Sequence, residues 1–251
     1  MCRKGLCTLG LMAALGGSLR ADWKITTVSK SAVGDSIETE YYKGKLKRTD
    51  GYDSRTGKAR YVGVLDFQNR RLTVWDLDSH QYAVHPIGPQ RPPPKESPSA
   101  TVITIDRATT DTGERRTFFG RTARHLITRE RSSRSDGETV IDGWYLDSEA
   151  SPPDKRGAAF AILESHVAGQ PYEPPIIKIN ETGPEPAGLP VLLKTTSSQQ
   201  KTTREVTELI EAPLPDTLFD PPPGFERSIP YPGPFRWSWG WFRDWFASLV
   251  S

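Results

Sequence analysis

Two tripeptides in the chain have counterparts at catalytic sites, and both have the composition of turns. Asp111–Thr112–Gly113 matches the tripeptide that carries the catalytic carboxylate of aspartic proteases. In those enzymes it ends an apolar strand, whereas here Thr109–Thr110 precede it and Glu114–Arg115 follow it, so the residues favour a β-turn. Gly34–Asp35–Ser36 resembles an esterase nucleophile block, but no leucine follows it and no later Asp-x-x-His block completes it. The sequence therefore predicts a turn at both places.

The spacing of histidines and carboxylates predicts neither a metal site nor a catalytic pair. No His-x-His or His-Glu-x-x-His spacing occurs among the histidines, which are His80, His85, His125 and His166. The acidic pairs Asp76 with Asp78 and Asp142 with Asp147 fall at predicted strand ends and turns, and a catalytic pair needs a fixed separation across a cleft. We therefore expect a protein that is not an enzyme, with no catalytic residue, no cofactor and no metal.

Arginines are concentrated in one stretch of the chain. They fall at both odd and even positions of the predicted strands, namely Arg107, Arg115, Arg116, Arg121, Arg124, Arg129, Arg131 and Arg134. Because alternate residues of a strand point to opposite faces, this set does not form one basic stripe. A solvated outer face is the first interpretation, and a patch for an anionic ligand is the alternative.

Residues 1–21 have the pattern of a secretory leader. A basic head at Arg3–Lys4 precedes the apolar run Leu6–Leu15, and small residues lead to Ala21, which suits cleavage before Asp22. The run is too short to span a bilayer, and both cysteines lie within the leader without the residues that lipoprotein processing requires. The sequence therefore predicts an exported protein, periplasmic or extracellular, that is soluble or peripherally associated with a membrane.

The predicted mature chain is nearly neutral and has no cysteine. The leader holds three of the 33 basic residues and none of the 31 acidic ones, which leaves 30 basic residues against 31 acidic ones. This balance gives no global electrostatic reason to bind nucleic acid, so we expect no nucleic-acid partner. Without disulfides, the fold must depend on its hydrophobic core.

Alternation of apolar and polar residues predicts a mainly β protein. Trp23, Ile25 and Thr27 alternate with polar neighbours in a period of two. Further strands are predicted at short spacing with polar turns between them, at Ile37–Tyr41, from Leu46 after the turn Lys43–Gly44, and at Tyr61–Phe67, Leu72–Trp75 and Gln81–Val84. This spacing favours an antiparallel meander.

A second group of strands follows the proline-rich connection Gly88–Pro98. The strands begin at Ala100 and are predicted to have one solvated face, with segments at Val102–Ile105, Arg116–Gly120, Thr122–Arg131 and Thr139–Leu146. The Asp136–Gly137 pair signals a hairpin turn. Beyond these strands we expect a short helix at Ala158–Val167, an extended edge at Pro171–Asn180, and a closing hairpin of Leu189–Thr196 with Thr202–Ile210.

The C-terminal segment is rich in aromatic residues and predicts an amphipathic helix. On a helix, one face would carry Trp239, Trp241, Phe242, Trp245, Phe246, Leu249 and Val250, and Trp237 lies just before them. Three interpretations stay open. The helix packs on the sheet and completes the core, or it lies in a membrane interface or caps a lipid cavity, or it mediates self-association.

A series of short motifs resembles a known family. The series comprises Trp23–Lys24–Ile25, Leu65–Asp66, Leu72–Thr73–Val74–Trp75, Gly143–Trp144–Tyr145, Gly188–Leu189–Pro190–Val191, Val206–Thr207, Leu214–Pro215–Asp216–Thr217–Leu218–Phe219 and Pro222–Pro223–Gly224–Phe225. Over residues 22–227 the chain is similar to secreted bacterial half-barrel proteins related to the periplasmic lipoprotein carrier and its outer-membrane receptor. The resemblance implies an incomplete antiparallel β-barrel around an apolar concavity, which in the carriers holds acyl chains.

These observations predict three segments and a binding function. Residues 1–21 are the leader, residues 22–227 the half-barrel with one or two short helices, and residues 228–251 a proline-rich connector with the aromatic helix. We expect the concave face to hold a lipid or a lipidated partner, with candidate lining residues Trp23, Tyr41, Leu65, Trp75, Tyr82 and Trp144. The alternative is an envelope interaction protein that docks on a membrane or a partner through Trp237–Val250.

The predicted leader can be tested directly. Expression of the full chain in a bacterial host with a secretory pathway should release a product whose first residue is Asp22, because Ala21 offers the small side chain that signal peptidase requires. Mass spectrometry of the exported protein measures this, and an exported product that keeps residues 1–21 would contradict it.

Overall fold

A computed structural model describes residues 22–32, 34–53, 59–86, 102–146, 176–198 and 200–228. They form one sheet of thirteen strands. The strands are β1 Trp23–Ser31, β2 Gly34–Lys43, β3 Leu46–Asp53, β4 Ala59–Asp66, β5 Arg71–Asp76, β6 Gln81–Pro86, β7 Val102–Phe118, β8 Arg121–Ser132, β9 Glu138–Leu146, β10 Ile176–Thr182, β11 Leu189–Thr196, β12 Lys201–Glu211 and β13 Glu226–Arg227.

The sheet is open and mostly antiparallel. Its strand order is β10-β7-β8-β9-β11-β12-β1-β2-β3-β4-β5-β6-β13. Strands β1 to β6 form the predicted meander, and β11 with β12 form the predicted hairpin. The two outermost strands are the exceptions, because β10 runs parallel to β7 and β13 runs parallel to β6. The prediction of a mainly antiparallel β protein is confirmed.

The predicted turn at Asp111–Thr112–Gly113 is wrong, because these residues form an irregularity inside the long strand β7. The register between β7 and β8 shifts between Asp111 and Arg115. The Asp111 carboxylate accepts the N–H of Gly113 at 2.9 Å, and Gly113 has a φ of 82°. The same Asp and Gly chemistry serves turns and β-bulges. The chain instead turns at Phe119 and Gly120, which both have positive φ as a two-residue hairpin requires.

Around Leu126 and Tyr145, strands β8 and β9 carry buried residues on both faces, so the prediction that one whole face is solvated is wrong there. Tyr145 and Leu146 are consecutive residues of a strand and point to opposite faces, yet both are buried. Leu146 belongs to a cluster with Trp23 and Ile25, whereas Tyr145 belongs to a cluster with Leu126. The sequence pattern missed the second cluster because arginines and threonines surround its few apolar residues.

Both predicted helices, Ala158–Val167 and the aromatic C-terminal segment, lie outside the described residues. In the described part of the chain the helical structure is one 3-10 turn, Asp216–Phe219. No helix among the described residues has the length and hydropathy needed to cross a membrane.

The core around β1 can be tested with two isoleucines on neighbouring strands. Ile25 in β1 is 1% exposed, whereas Ile210 in β12 is 41% exposed. Ile25→Ala should lower the free energy of unfolding by about 3 kcal/mol, because it leaves a cavity among packed side chains. Ile210→Ala should lower it by less than about 1 kcal/mol. Denaturant unfolding measures both, and equal losses would contradict this assignment of the core.

Candidate functional site

The segment 212–228, called the cap below, crosses one face of strands β2 to β6 and ends in β13, which pairs with the edge of β6. Phe219 of the 3-10 turn is buried in a cluster with Val62, Val64 and Trp75. Further apolar residues of the cap pack against this cluster, namely Leu214, Leu218 and Phe225. The face of β2–β6 that carries Val62, Val64 and Trp75 is called the capped face. An exposed apolar sheet face must be covered, and the cap covers part of this one.

Arg48 fastens the cap to the sheet. Its Nε and Nη2 donate to the two carboxylate oxygens of Asp50, at 2.5 and 2.7 Å. Its Nη1 donates to the backbone carbonyl of Leu218 in the cap, at 2.7 Å. The guanidinium also lies 4.7 Å from the centre of a ring of Trp75, a cation–π distance. One side chain therefore joins an anion, an aromatic ring and the cap.

Asp50 is buried and the Arg48 side chain is 16% exposed, so the pair is largely removed from water and has structural weight. Asp50 is 2% exposed, so its charge depends on the guanidinium and on the Tyr52 hydroxyl, which donates to Asp50 Oδ2 at 3.3 Å. Burial, together with the Asp50 charge, raises the pKa of the Tyr52 phenol to about 12. Removing one partner of such a pair leaves an uncompensated charge in the interior.

Both ends of the cap are held by further hydrogen bonds. At its start, the N–H of Leu214 donates to Asp22 Oδ2 at 2.9 Å, and Lys43 donates to the Leu214 carbonyl. At its end, the N–H of Ser228 donates to the carbonyl of Tyr82 at 2.9 Å. The cap is thus tied to β1 and the end of β2 on one side and to β6 on the other.

An open groove of about 490 Å³ lies between the cap and the capped face. Its apolar lining consists of Leu46, Val64, Tyr82, Val84, Phe219 and Pro221. Its polar lining consists of Asp66, Arg71, Thr73, Asp216, Asp220 and Arg227. Ligand sites in proteins commonly have volumes of about 300–1,000 Å³ and combine an apolar lining with a few polar groups. The groove has both properties.

The six predicted lining residues divide between the two faces of the sheet. Tyr41, Trp75 and Tyr82 belong to the cluster of the capped face, and Tyr82 also lines the groove. Trp23 pairs with Tyr42 rather than Tyr41, so Trp23 and Tyr41 point to opposite faces. Trp23 and Trp144 lie in the cluster around Ile25.

Leu65 is the sixth of these residues. It follows Val64 in β4, so its side chain points away from the groove. The predicted cap or docking residues Trp237, Trp239, Trp241, Phe242, Trp245, Phe246 and Leu249 lie outside the described residues.

The arginine-rich strands do not present a uniform basic surface. Five of the eight arginines form ion pairs with carboxylates: Arg107 with Glu130 and Glu181, Arg115 with Asp111, Arg121 with Glu211, and Arg129 and Arg131 with Glu138. Their charges are largely compensated within the protein. This supports the interpretation of a solvated outer face over that of a patch for an anionic ligand.

Thr112, His125 and Asp142 approach one another in the order of a catalytic triad. Thr112 Oγ1 lies 3.1 Å from His125 Nδ1, and His125 Nε2 lies 2.8 Å from Asp142 Oδ1. However, the Thr112 hydroxyl accepts the N–H of Glu114, and the N–H of Gly113 donates to Asp111. The amides beside Thr112 are therefore not available to stabilise an oxyanion. The arrangement fastens the irregularity in β7 to β8.

Sequence reasoning missed both Arg48 and the three residues around His125. Thr112, His125 and Asp142 lie in three different strands, so no local spacing joins them. A sequence pattern could have indicated the Arg48–Asp50 pair, because the two residues lie two positions apart in β3 and so share one face of the strand. No group of three or more His, Cys, Asp or Glu side chains among the described residues could hold a metal ion.

Fold and site together define a mainly β protein with one large open sheet and a capped groove. Neither the models of known protein families nor the curated proteins include a match to this chain. The functional conclusion therefore depends on the groove itself.

The Arg48–Asp50 pair with its bond to the Leu218 carbonyl, called the clamp below, can be tested by two substitutions of the same kind. Asp50→Asn should lower the free energy of unfolding by about 3 kcal/mol, because it leaves the largely buried Arg48 charge without its anion. Asp216→Asn also removes one carboxylate from an ion pair, with Lys43, but its side chain is 89% exposed. That change should cost less than about 1 kcal/mol. Chemical denaturation compares the two, and similar losses would show that the buried pair does not hold the fold.

Proposed function

We propose that the chain is an exported, non-catalytic protein that binds the apolar chain of a lipid or of a lipidated partner in the groove beneath the cap. The observation that carries this proposal is the groove of about 490 Å³ with six apolar lining residues. An apolar chain laid along those residues would remove their surface from water, at roughly 25 cal/mol per Å². The polar residues of the same groove would keep its mouth hydrated.

The shape of the sheet belongs to the same proposal. Thirteen strands form one continuous open sheet, and open sheets of more than about ten twisted strands usually curl. Such curling is compatible with the incomplete barrel that the family resemblance implies. In this proposal the groove takes the role of the acyl-binding concavity, with Tyr82 as the predicted lining residue that contacts the ligand.

The alternative function, docking on a membrane or an envelope partner through the aromatic segment, is favoured by where that segment begins. The N–H of Ser228 donates a hydrogen bond to the carbonyl of Tyr82, and both Tyr82 and Arg227 line the groove. Residues 229–251 therefore follow directly from its border. In this second proposal the aromatic residues contact the membrane while the groove holds no ligand.

Two valines on adjacent strands provide a matched test of chain binding. Val84 of β6 lines the groove, whereas Val74 of β5 is paired with Ala83 and points to the other face. Val84→Glu should weaken the binding of monolauroylglycerol at least about tenfold, because it places a carboxylate against the apolar chain. Val74→Glu should leave the affinity within about twofold. Isothermal titration calorimetry on the mature protein measures both, after unfolding curves confirm that each variant folds.

Two results would contradict binding in the groove. One is the absence of any monolauroylglycerol binding by the unsubstituted protein, and the other is an equal effect of the two glutamates. A chain ending at Ser228 tests the second proposal. If that proposal holds, the mature chain associates with phospholipid vesicles without binding monolauroylglycerol, and the shortened chain no longer associates with the vesicles.

A further inference from the structure

The groove is lined by five charged residues, and three of them are already compensated by the protein. Asp66 accepts the N–H groups of Gln68 and Asn69, the Asn69 side-chain amide and Arg71 Nε. Burial opposes the shift, but these donors hold the pKa of Asp66 below its usual range. Asp216 forms an ion pair with Lys43 at 2.8 Å. Asp66, Arg71 and Asp216 therefore have their charges balanced without a ligand.

The other two charges of the groove are Asp220 and Arg227, and they have opposite signs. Neither side chain has a hydrogen bond or an ion pair within the described residues, and they do not pair with each other. Both are exposed to solvent. A carboxylate and a guanidinium on the wall of one groove, each without a partner in the described part of the chain, are complementary to a ligand that carries both charges.

Backbone hydrogen bonds fix the positions in the wall of the groove from which these two side chains extend. Asp220 follows the 3-10 turn directly, and its N–H bonds to the carbonyl of Thr217. Arg227 lies in β13 between Glu226 and Ser228. The N–H groups of these two neighbours donate to the carbonyls of His80 and Tyr82, at 3.0 and 2.9 Å. The packing of the cap on the sheet therefore sets the distance between the backbone positions of these two residues.

We propose that the amphiphile bound in this groove carries a zwitterionic head group of the phosphoethanolamine type, with its phosphate on Arg227 and its ammonium on Asp220. The inference rests on the proposed function, since the apolar chain must occupy the groove floor for its head group to reach these residues. A guanidinium presents paired N–H donors that suit phosphate oxygens. A carboxylate accepts hydrogen bonds from a primary ammonium.

The test compares three single-chain lipids that share a lauroyl chain. Their head groups are phosphoethanolamine, phosphoglycerol and uncharged glycerol, and each is titrated calorimetrically into the mature protein. Arg227→Gln should weaken binding of both phosphate-containing lipids by about fivefold. Asp220→Asn should weaken binding of the phosphoethanolamine lipid by about fivefold and should not weaken binding of the phosphoglycerol lipid. Neither substitution should alter the affinity for the glycerol lipid, and Arg129→Gln on β8 is the remote control.

The outcomes separate failure of this inference from failure of the proposed function. If all three lipids bind equally well and neither substitution changes any affinity, the head-group inference is overturned while chain binding in the groove stands. If the phosphoglycerol lipid binds most tightly and Asp220→Asn does not change the affinity for any of the three lipids, the groove selects anions and the zwitterionic inference is overturned. If no lauroyl lipid binds at all, both proposals fail together.

Discussion

A largely buried guanidinium that is shared among three partners is the interaction on which the rest of the structure depends. Arg48 is held by Asp50, stacks near Trp75 and donates to the carbonyl of Leu218. A charge of this kind is tolerated in the interior only while its partners remain in place. The cap therefore does more than cover apolar surface, because its backbone supplies one of the acceptors that the buried arginine needs. Sheet and cap stabilise each other.

The position of the clamp explains why a groove exists beside it. Arg48, Val64, Thr73 and Val84 are successive cross-strand neighbours on the capped face. The cap is attached to the sheet at Arg48, which bonds to the Leu218 carbonyl, and again at Tyr82, which bonds to Ser228. Between these two attachments, part of the row faces the groove rather than packed side chains. The groove thus has a rigid floor of paired strands and a wall whose place is set by hydrogen bonds. In the proposed function, this arrangement preorganises the groove for its ligand, which lowers the entropic cost of binding.

Much of the sheet could be predicted from the sequence, because alternation and turn residues act locally. The meander and the closing hairpin follow from such signals. The irregularity at Asp111 could not be separated from a turn, since both use an Asp side chain and a glycine with positive φ. The pairing of β10 with β7 and of β13 with β6 joins distant segments in parallel, and no local pattern specifies it.

The candidate site was less accessible to sequence reasoning than the sheet. The sequence predicts large apolar residues together as the lining of one cavity, yet Trp23 and Tyr41 face opposite sides because their register in β1 and β2 differs by one residue. The most direct measurement of the clamped cap is native-state amide hydrogen exchange at Leu214, Leu218 and Ser228. The account predicts that these amides exchange as slowly as those of Val64 and Trp75, in one cooperative unit. Rapid exchange throughout the cap, while the strands beneath stay protected, would contradict it.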